Sequence, residues 1–177
     1  IYFAAQSHPQ LYGMGTTLLV AWFYDNMVTL AHLGDSRAYR LRGDLLERLT
    51  RDHSLLQEQL DSGIISAEEA RFSLSKNLVT RALGVDLTVE PEIRDFSVQR
   101  GDVYLLCSDG LNDMVGDVEI GETMRALAAD PVAAAERLVQ MANDNGGRDN
   151  ISVILVRVRG EFPARAGWWQ KLRVRFG

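Results

Sequence analysis

Cysteine is almost missing from this sequence. Cys107 stands alone, so no intrachain disulfide can form and stability must come from the core. Long apolar runs are missing as well. The longest unbroken one, Leu18 to Tyr24, is far shorter than a membrane-spanning helix needs, and the opening residues carry no secretory-signal pattern. A reducing, cytoplasmic setting is therefore expected. Histidine is scarce, and His8, His32 and His53 have no metal-like spacing along the chain. Positive charge is not in excess. The net charge of −5 argues against a general nucleic-acid binder, which would carry a basic face. No internal repeat or interdomain linker is evident either.

What is present is an ordinary globular balance, 46% hydrophobic and 24% charged residues over 177. One domain of that length buries roughly 70% of its unfolded surface. Ile1 to Ser7 reads as the last turns of a helix. Thr16 to Tyr24 and Met27 to Leu33 read as strands joined by a tight Asp25-Asn26 turn. Ser36 to Arg42 and Leu45 to Leu49 continue an antiparallel meander through Gly43-Asp44. Helix signals follow. His53 to Leu60 ends at Gly63, and Ser66 with Glu69 makes a capping box for a short helix through about Phe72. Glu92 to Val98, Val103 to Cys107 and Ile151 to Val158 read as strands. Val118 to Ala129 and Pro131 to about Asn143 read as helices, the second opened by Asp130-Pro131. The expected class is α+β.

Three aspartates recur in one context. Asp35, Asp109 and Asp149 each sit beside glycine or a turn at the end of an apolar strand. Brought to one sheet edge, such carboxylates repel by roughly 1–4 kcal/mol per close pair. A hard cation removes that cost, and oxygen-only ligation favours Mg²⁺ or Mn²⁺ over Zn²⁺. Each aspartate taken alone is more simply a turn residue.

Other chemistries fail on the residues. Cysteine-based phosphate chemistry needs an arginine six positions after the nucleophile, and Asp113 stands there after Cys107. Cys107 reads instead as a small buried apolar residue. No two aspartates lie two apart, as a haloacid-dehalogenase-type site requires. Gly13-Met14-Gly15-Thr16-Thr17 lacks the Gly-Lys-Ser/Thr ending of a phosphate loop and leads into a strand. His32 within a strand reads as a packed residue, and His53 at a helix start as a capping or packing one.

Six segments nevertheless occur in a telling order: Met14-Gly15-Thr16-Thr17, Gly34-Asp35-Ser36-Arg37, Leu49-Thr50-Arg51-Asp52-His53-Ser54, Thr80-Arg81-Ala82-Leu83-Gly84, Ser108-Asp109-Gly110-Leu111 and Gly147-Arg148-Asp149-Asn150. In this the chain resembles the metal-dependent serine/threonine phosphatases of type 2C, in their bacterial form. The resemblance implies two antiparallel β-sheets in a sandwich flanked by helices. It implies two Mn²⁺ or Mg²⁺ ions, with a third in bacterial members. By motif, Asp109 and Asp149 match direct metal ligands, Asp35 matches a contributor to the third ion, and Asn150 matches a residue that orients the ligand loop. Residues 54–76 match a variable flap beside the site.

The implied reaction is hydrolysis of phosphoserine or phosphothreonine in proteins by a metal-activated water, with no covalent nucleophile, opposing a bacterial serine/threonine kinase. Phosphorylated proteins, a kinase among them, are the implied partners, and the chain is expected to act as a monomer. The front segment of the family, with its metal-bridging Asp and phosphate-binding Arg, finds no match here. The chain is thus expected to be incomplete at the N-terminus and impaired on its own. The alternative is a catalytically inactive, phosphatase-like binding or regulatory module. Residues 1–159 are expected to form the domain. Residues 160–177 form a basic aromatic tail (Arg165, Trp168, Trp169, Lys171, Arg173, Arg175, Phe176), expected to fray, with weak membrane or partner contact as its other reading.

Overall fold

The computed structural model describes residues 1–70 and 78–163. Strand β1 (Leu18–Tyr24) and strand β2 (Met27–Leu33) form a hairpin, with Tyr24 opposite Met27. Its two-residue turn has Asp25 at φ 45° and Asn26 at φ 55°. Two successive left-handed residues match the right-handed twist of the flanking strands, and short polar side chains tolerate that conformation best. Strand β5 (Glu92–Ser97) pairs antiparallel with β2 and completes a three-stranded sheet, β1-β2-β5.

The second sheet runs β4-β3-β6-β7, all antiparallel, from β3 (Arg37–Arg42), β4 (Leu45–Arg48), β6 (Val103–Cys107) and β7 (Val153–Arg157). β6 lies between two partners and is buried along nearly its whole length. That explains why its sequence is continuously apolar rather than alternating. The sandwich expected from the resemblance is the observed architecture.

Two apolar layers hold it. Between the sheets, Val28 and Leu30 of β2 meet Ala38 of β3 and Tyr104 of β6, with Leu49, Val98 and Val158 around them. The opposite faces of β3 and β6 present Tyr39, Leu41, Val103, Leu105 and Cys107 to helices. Those helices are α5 (Asp117–Ala126), which contributes Ile120 and Met124, and α6 (Pro131–Asp144), which contributes Leu138 and Ala142. The period-two alternation of β6 thus feeds two different cores. Cys107 is buried as expected, and burial pushes its thiol up to about 12.

The remaining helices are short: α1 (Tyr2–Ser7), α2 (Leu55–Asp61), α3 (Ala67–Ala70) and α4 (Asp109–Asn112). The Ser66–Glu69 capping box forms, with Glu69 N donating to Ser66 Oγ at 3.2 Å and Ser66 N to Glu69 Oε2 at 2.8 Å. Asp130 caps α6 by accepting from the amides of Val132 and Ala133.

Several boundaries differ from the sequence expectation. α5 stops at Ala126, because the chain must leave the helix before the Asp130-Pro131 cap of the next one. β7 begins at Val153, because Ser152 donates its N–H to the Ser108 hydroxyl and accepts the Ser108 N–H at its carbonyl instead of continuing the ladder. α4 was not expected at all. The α3 extension to Phe72 and the tail aromatics Trp168, Trp169 and Phe176 lie outside the described residues. Of the tail's first residues, Phe162 packs its ring on Phe23 at 6.5 Å and donates its amide to Asn26 Oδ1 at 2.6 Å.

Candidate metal centre

Strand direction decides where the three aspartates go. β2 ends at Leu33 and β3 begins at Arg37, so Asp35 lies in the link between the two sheets. Arg37 is paired with Cys107 at the end of β6, and Cys107 with Val153 at the start of β7. Asp35, Asp109 and Asp149 therefore all emerge at one end of the sandwich.

Each turn is fixed by a local device. Gly34 sits at φ +100°, and a Cβ there would overlap the Thr17 side chain. The Gly34–Asp35 link thus has one available path. Asp109 opens α4, and its Oδ1 accepts from the Gly110 amide at 2.9 Å. Asp149 Oδ1 likewise accepts from the Asn150 amide at 2.6 Å. Ser108 joins the last two turns. Its hydroxyl donates to Asn150 O at 3.0 Å and accepts from Ser152 N at 3.0 Å, while its own amide donates to Ser152 O at 3.0 Å. The Asn150 carbonyl approaches Gly110 so closely that a Cβ on residue 110 would collide with it. Asn150 thus joins the Asp149 and Ser108 turns through its backbone N–H and C=O.

The electrostatics single out Asp35. Its carboxyl titrates above the usual aspartate range, first because it is partly buried and next because the Asp109 carboxylate lies nearby; Asp52 and Asp113 add to the effect. Asp113 was passed over in the sequence. It lies four residues after Asp109, its amide donates to Asp109 O at 2.8 Å, and its carboxylate acts on Asp35. The signal that would have found it is the one-turn spacing of two acids, legible only once α4 is known to be helical. Asp149 is exposed.

Beneath the turns lies a polar layer. Arg37 grips Asp52 with Nε to Oδ1 at 3.0 Å and Nη2 to Oδ2 at 2.6 Å. Arg37 Nη1 donates to the Tyr39 hydroxyl at 3.3 Å, which donates in turn to Asp117 Oδ1 at 2.9 Å. Such bidentate pairing anchors the chain immediately after Asp35.

The protein phosphatase 2C family profile matches residues 4–151, which is most of the chain. The chain belongs to the protein phosphatase 2C family. It is 43% identical over 152 residues to the serine/threonine phosphatase stp of Listeria innocua, covering 86% of this chain and 60% of that protein. To protein phosphatase PhpP of Streptococcus pneumoniae it is 41% identical over 150 residues, covering 84% and 60%. Among solved structures, the Mycobacterium tuberculosis serine/threonine phosphatase PstP matches with a TM-score of 0.83 at 38% identity, covering 89% of this chain and 66% of that one. The catalytic domain of PstP in complex with 2 manganese ions matches with a TM-score of 0.77 at 39% identity, covering 87% and 63%. The chain thus spans about three fifths of the length of these curated relatives.

In this phosphatase 2C chain the aspartates fit a hard divalent cation: the donors are carboxylate oxygens, and the Asp35 carboxyl is raised first by burial and next by Asp109. Asp35, Asp109 and Asp149 do not, however, form a group with all ligand atoms in close range. Among the described residues that distinction belongs to His32, His53 and Glu92, whose ligand atoms all lie within 4.8 Å of one another. Linear spacing had hidden this trio, since β2, the segment before α2 and β5 supply one member each. His32 is packed, as expected. His53 takes the packing reading, buried against His32, while Ser54 caps α2 by accepting from Gln57 N at 3.3 Å.

Proposed function

We propose that the protein hydrolyses phosphoserine and phosphothreonine in proteins, with Asp109, Asp149 and Asp35 as carboxylate ligands of Mn²⁺ or Mg²⁺. The observation that carries this is the convergence of acids from three separate strand ends at one edge of the sandwich, with the Asp35 carboxyl raised by burial and by Asp109. Membership of the phosphatase 2C family and the naming of its relatives as serine/threonine phosphatases support the same reading, as does the PstP domain complexed with manganese.

Bound Mn²⁺ or Mg²⁺ supplies Lewis acidity toward phosphoryl oxygens and makes a water nucleophilic near neutral pH. The chain's own residues do the rest. Ser108 and Gly110 hold the Asp109 and Asp149 turns together. Arg37 and Asp52 fix the strand that follows Asp35, and the Asn150 backbone links the Asp149 loop to Ser108. Asp113 is added to the ligand candidates, as the acid one turn beyond Asp109. Residues 54–76 stand as the candidate flap, of which 71–76 lie outside the described residues.

The finer parts of the proposal are opposition to a serine/threonine kinase in a bacterial cytoplasm, action as a monomer, a domain over residues 1–159 and a separate tail over 160–177. The test is phosphate release from a phosphothreonine peptide with Mn²⁺, beside a chelator control and Asp109→Ala. Weak release that needs both the metal and Asp109 is expected, in line with the impairment expected of this chain on its own. Mn²⁺ binding without release would favour the inactive binding module instead. Release that persists in chelator would sink the metal mechanism.

A further inference from the structure

The trio of His32, His53 and Glu92 invites a metal assignment, but its hydrogen bonds forbid one. The Gly34 amide can only donate, and it points at His53 Nδ1 at 3.2 Å. Nδ1 is therefore unprotonated, and the neutral ring carries its proton on Nε2, which faces Glu92 Oε2 at 3.3 Å. That nitrogen has no lone pair left for a cation. The His32 and His53 rings are also stacked, 4.4 Å apart and 18° from parallel, so their in-plane lone pairs do not converge.

We propose that His53 is a positioning residue for Asp35, a role that rests on reading Asp35 as a metal ligand. His53 holds Gly34, the residue before Asp35, from both sides. Its amide donates to Gly34 O at 2.9 Å, and its Nδ1 accepts from Gly34 N. The residue is held by three further contacts. Nε2–H goes to Glu92 on β5, one face lies on His32 of β2, and the His53 carbonyl accepts from Thr80 N at 2.8 Å. His32 is itself tied by Nε2 to Arg51 O at 2.8 Å. Burial pushes the Glu92 carboxyl up, but the His53 hydrogen bond first and Arg94 next, whose Nε stands 2.6 Å from Oε1, hold it below the usual range. His53 is 6% exposed and His32 3%, so water does not compete for these contacts. Burial keeps the His53 ring below its usual range, with Arg81 and His32 acting the same way against Glu92. With Gly34 at φ +100° and closed in by Thr17, a single imidazole nitrogen sets the direction from which Asp35 leaves β2.

Two substitutions separate the roles of the two nitrogens. His53→Asn places Oδ1 close to where Nδ1 sits and keeps an acceptor for Gly34. His53→Gln reaches toward Glu92 from the Nε2 position and gives up that acceptor. In the 177-residue chain, with Mn²⁺ as the probe read by the electron paramagnetic resonance of the free ion, His53→Gln is expected to weaken binding about tenfold, while His53→Asn stays within about twofold. Amide exchange at Gly34 should quicken in the Gln variant only. A merely structural role would track melting temperature and leave Asn no better than Gln.

Equal affinities in the two variants, or Asn the worse, overturn the proposal. Asp35→Asn is the control. If it weakens Mn²⁺ binding while the His53 variants do not differ, only the positioning role fails. If it leaves binding unchanged, the reading of Asp35 as a ligand fails and the positioning role with it. If the unmodified chain takes up no Mn²⁺, the metal reading of this chain fails. Gly34 exchange then decides the tie alone, upheld by selective quickening in the Gln variant and overturned without it.

Discussion

Asp35 is the residue at which the proposed metal role and stability pull in opposite directions. Its carboxyl is raised in the folded chain by burial and by Asp109, so the folded state binds that proton more tightly than the unfolded one. The sign follows: ionising Asp35 costs folding stability, and the cost grows as pH rises from the unfolded value near 3.9 through the raised folded value. Asp35→Asn is therefore expected to raise the metal-free melting temperature at pH 7 while reducing the extra stability that Mn²⁺ confers, both read by thermal melts with and without metal. A lower metal-free melting temperature would show that burial and repulsion do not outweigh the hydrogen bonding of Asp35. Gly110 poses the complementary case. Gly110→Ala forces the Asn150 carbonyl away, with an expected loss of about 1–3 kcal/mol in denaturant titrations and weaker Mn²⁺ binding through displacement of the Asp149 turn. The motif Ser108-Asp109-Gly110 was legible as a strand end. The need for glycine was not, because the atom it makes room for lies forty positions on in the sequence.

Among the elements, β6 depends on a buried acid at its base. Asp102 is 1% exposed and is held by Arg42 through Nε at 2.8 Å and Nη2 at 2.7 Å, by the Gln99 amide at 2.9 Å and by the Tyr104 hydroxyl at 3.2 Å. Burial pushes its carboxyl up, but Arg42 and these donors outweigh burial and hold it below the usual range. Its stabilising contribution is present above about pH 4 and is lost as pH falls through the depressed folded value. Asp102→Ala leaves Arg42 and two donors without their partner, and should cost about 3–5 kcal/mol in urea unfolding at pH 7, with less difference from the parent below pH 3. An equal loss at both pH values would assign the effect to packing. Gly101-Asp102 was readable as a turn into the central strand. The ion pair with Arg42 was not, because it joins β3 to the approach of β6 across the sheet.

For the whole molecule, the candidate centre links three segments, so a cation bound there stabilises the native state by mass action. Mn²⁺ at a hundred times its dissociation constant should add about 2.7 kcal/mol, and Asp109→Ala should abolish the shift in a thermal melt; an equal shift in the variant would place the ion elsewhere. Residue types and their period determined the strands, the Asp25-Asn26 hairpin, the Asp130-Pro131 helix start and the α+β class, because those depend on neighbours within a few positions. Ordered motifs also pointed to the phosphatase 2C family. Only the tertiary structure decided that Asp113 joins the acids around Asp35, that His53 turns its Nδ1 to Gly34 and its Nε2 to Glu92, and that the Asn150 carbonyl fills the space above Gly110. The physical reason is common to all three. Charge repulsion, hydrogen-bond direction and close contact act through distances of a few ångströms, and chain order does not encode which distant segments a folded sandwich brings that close.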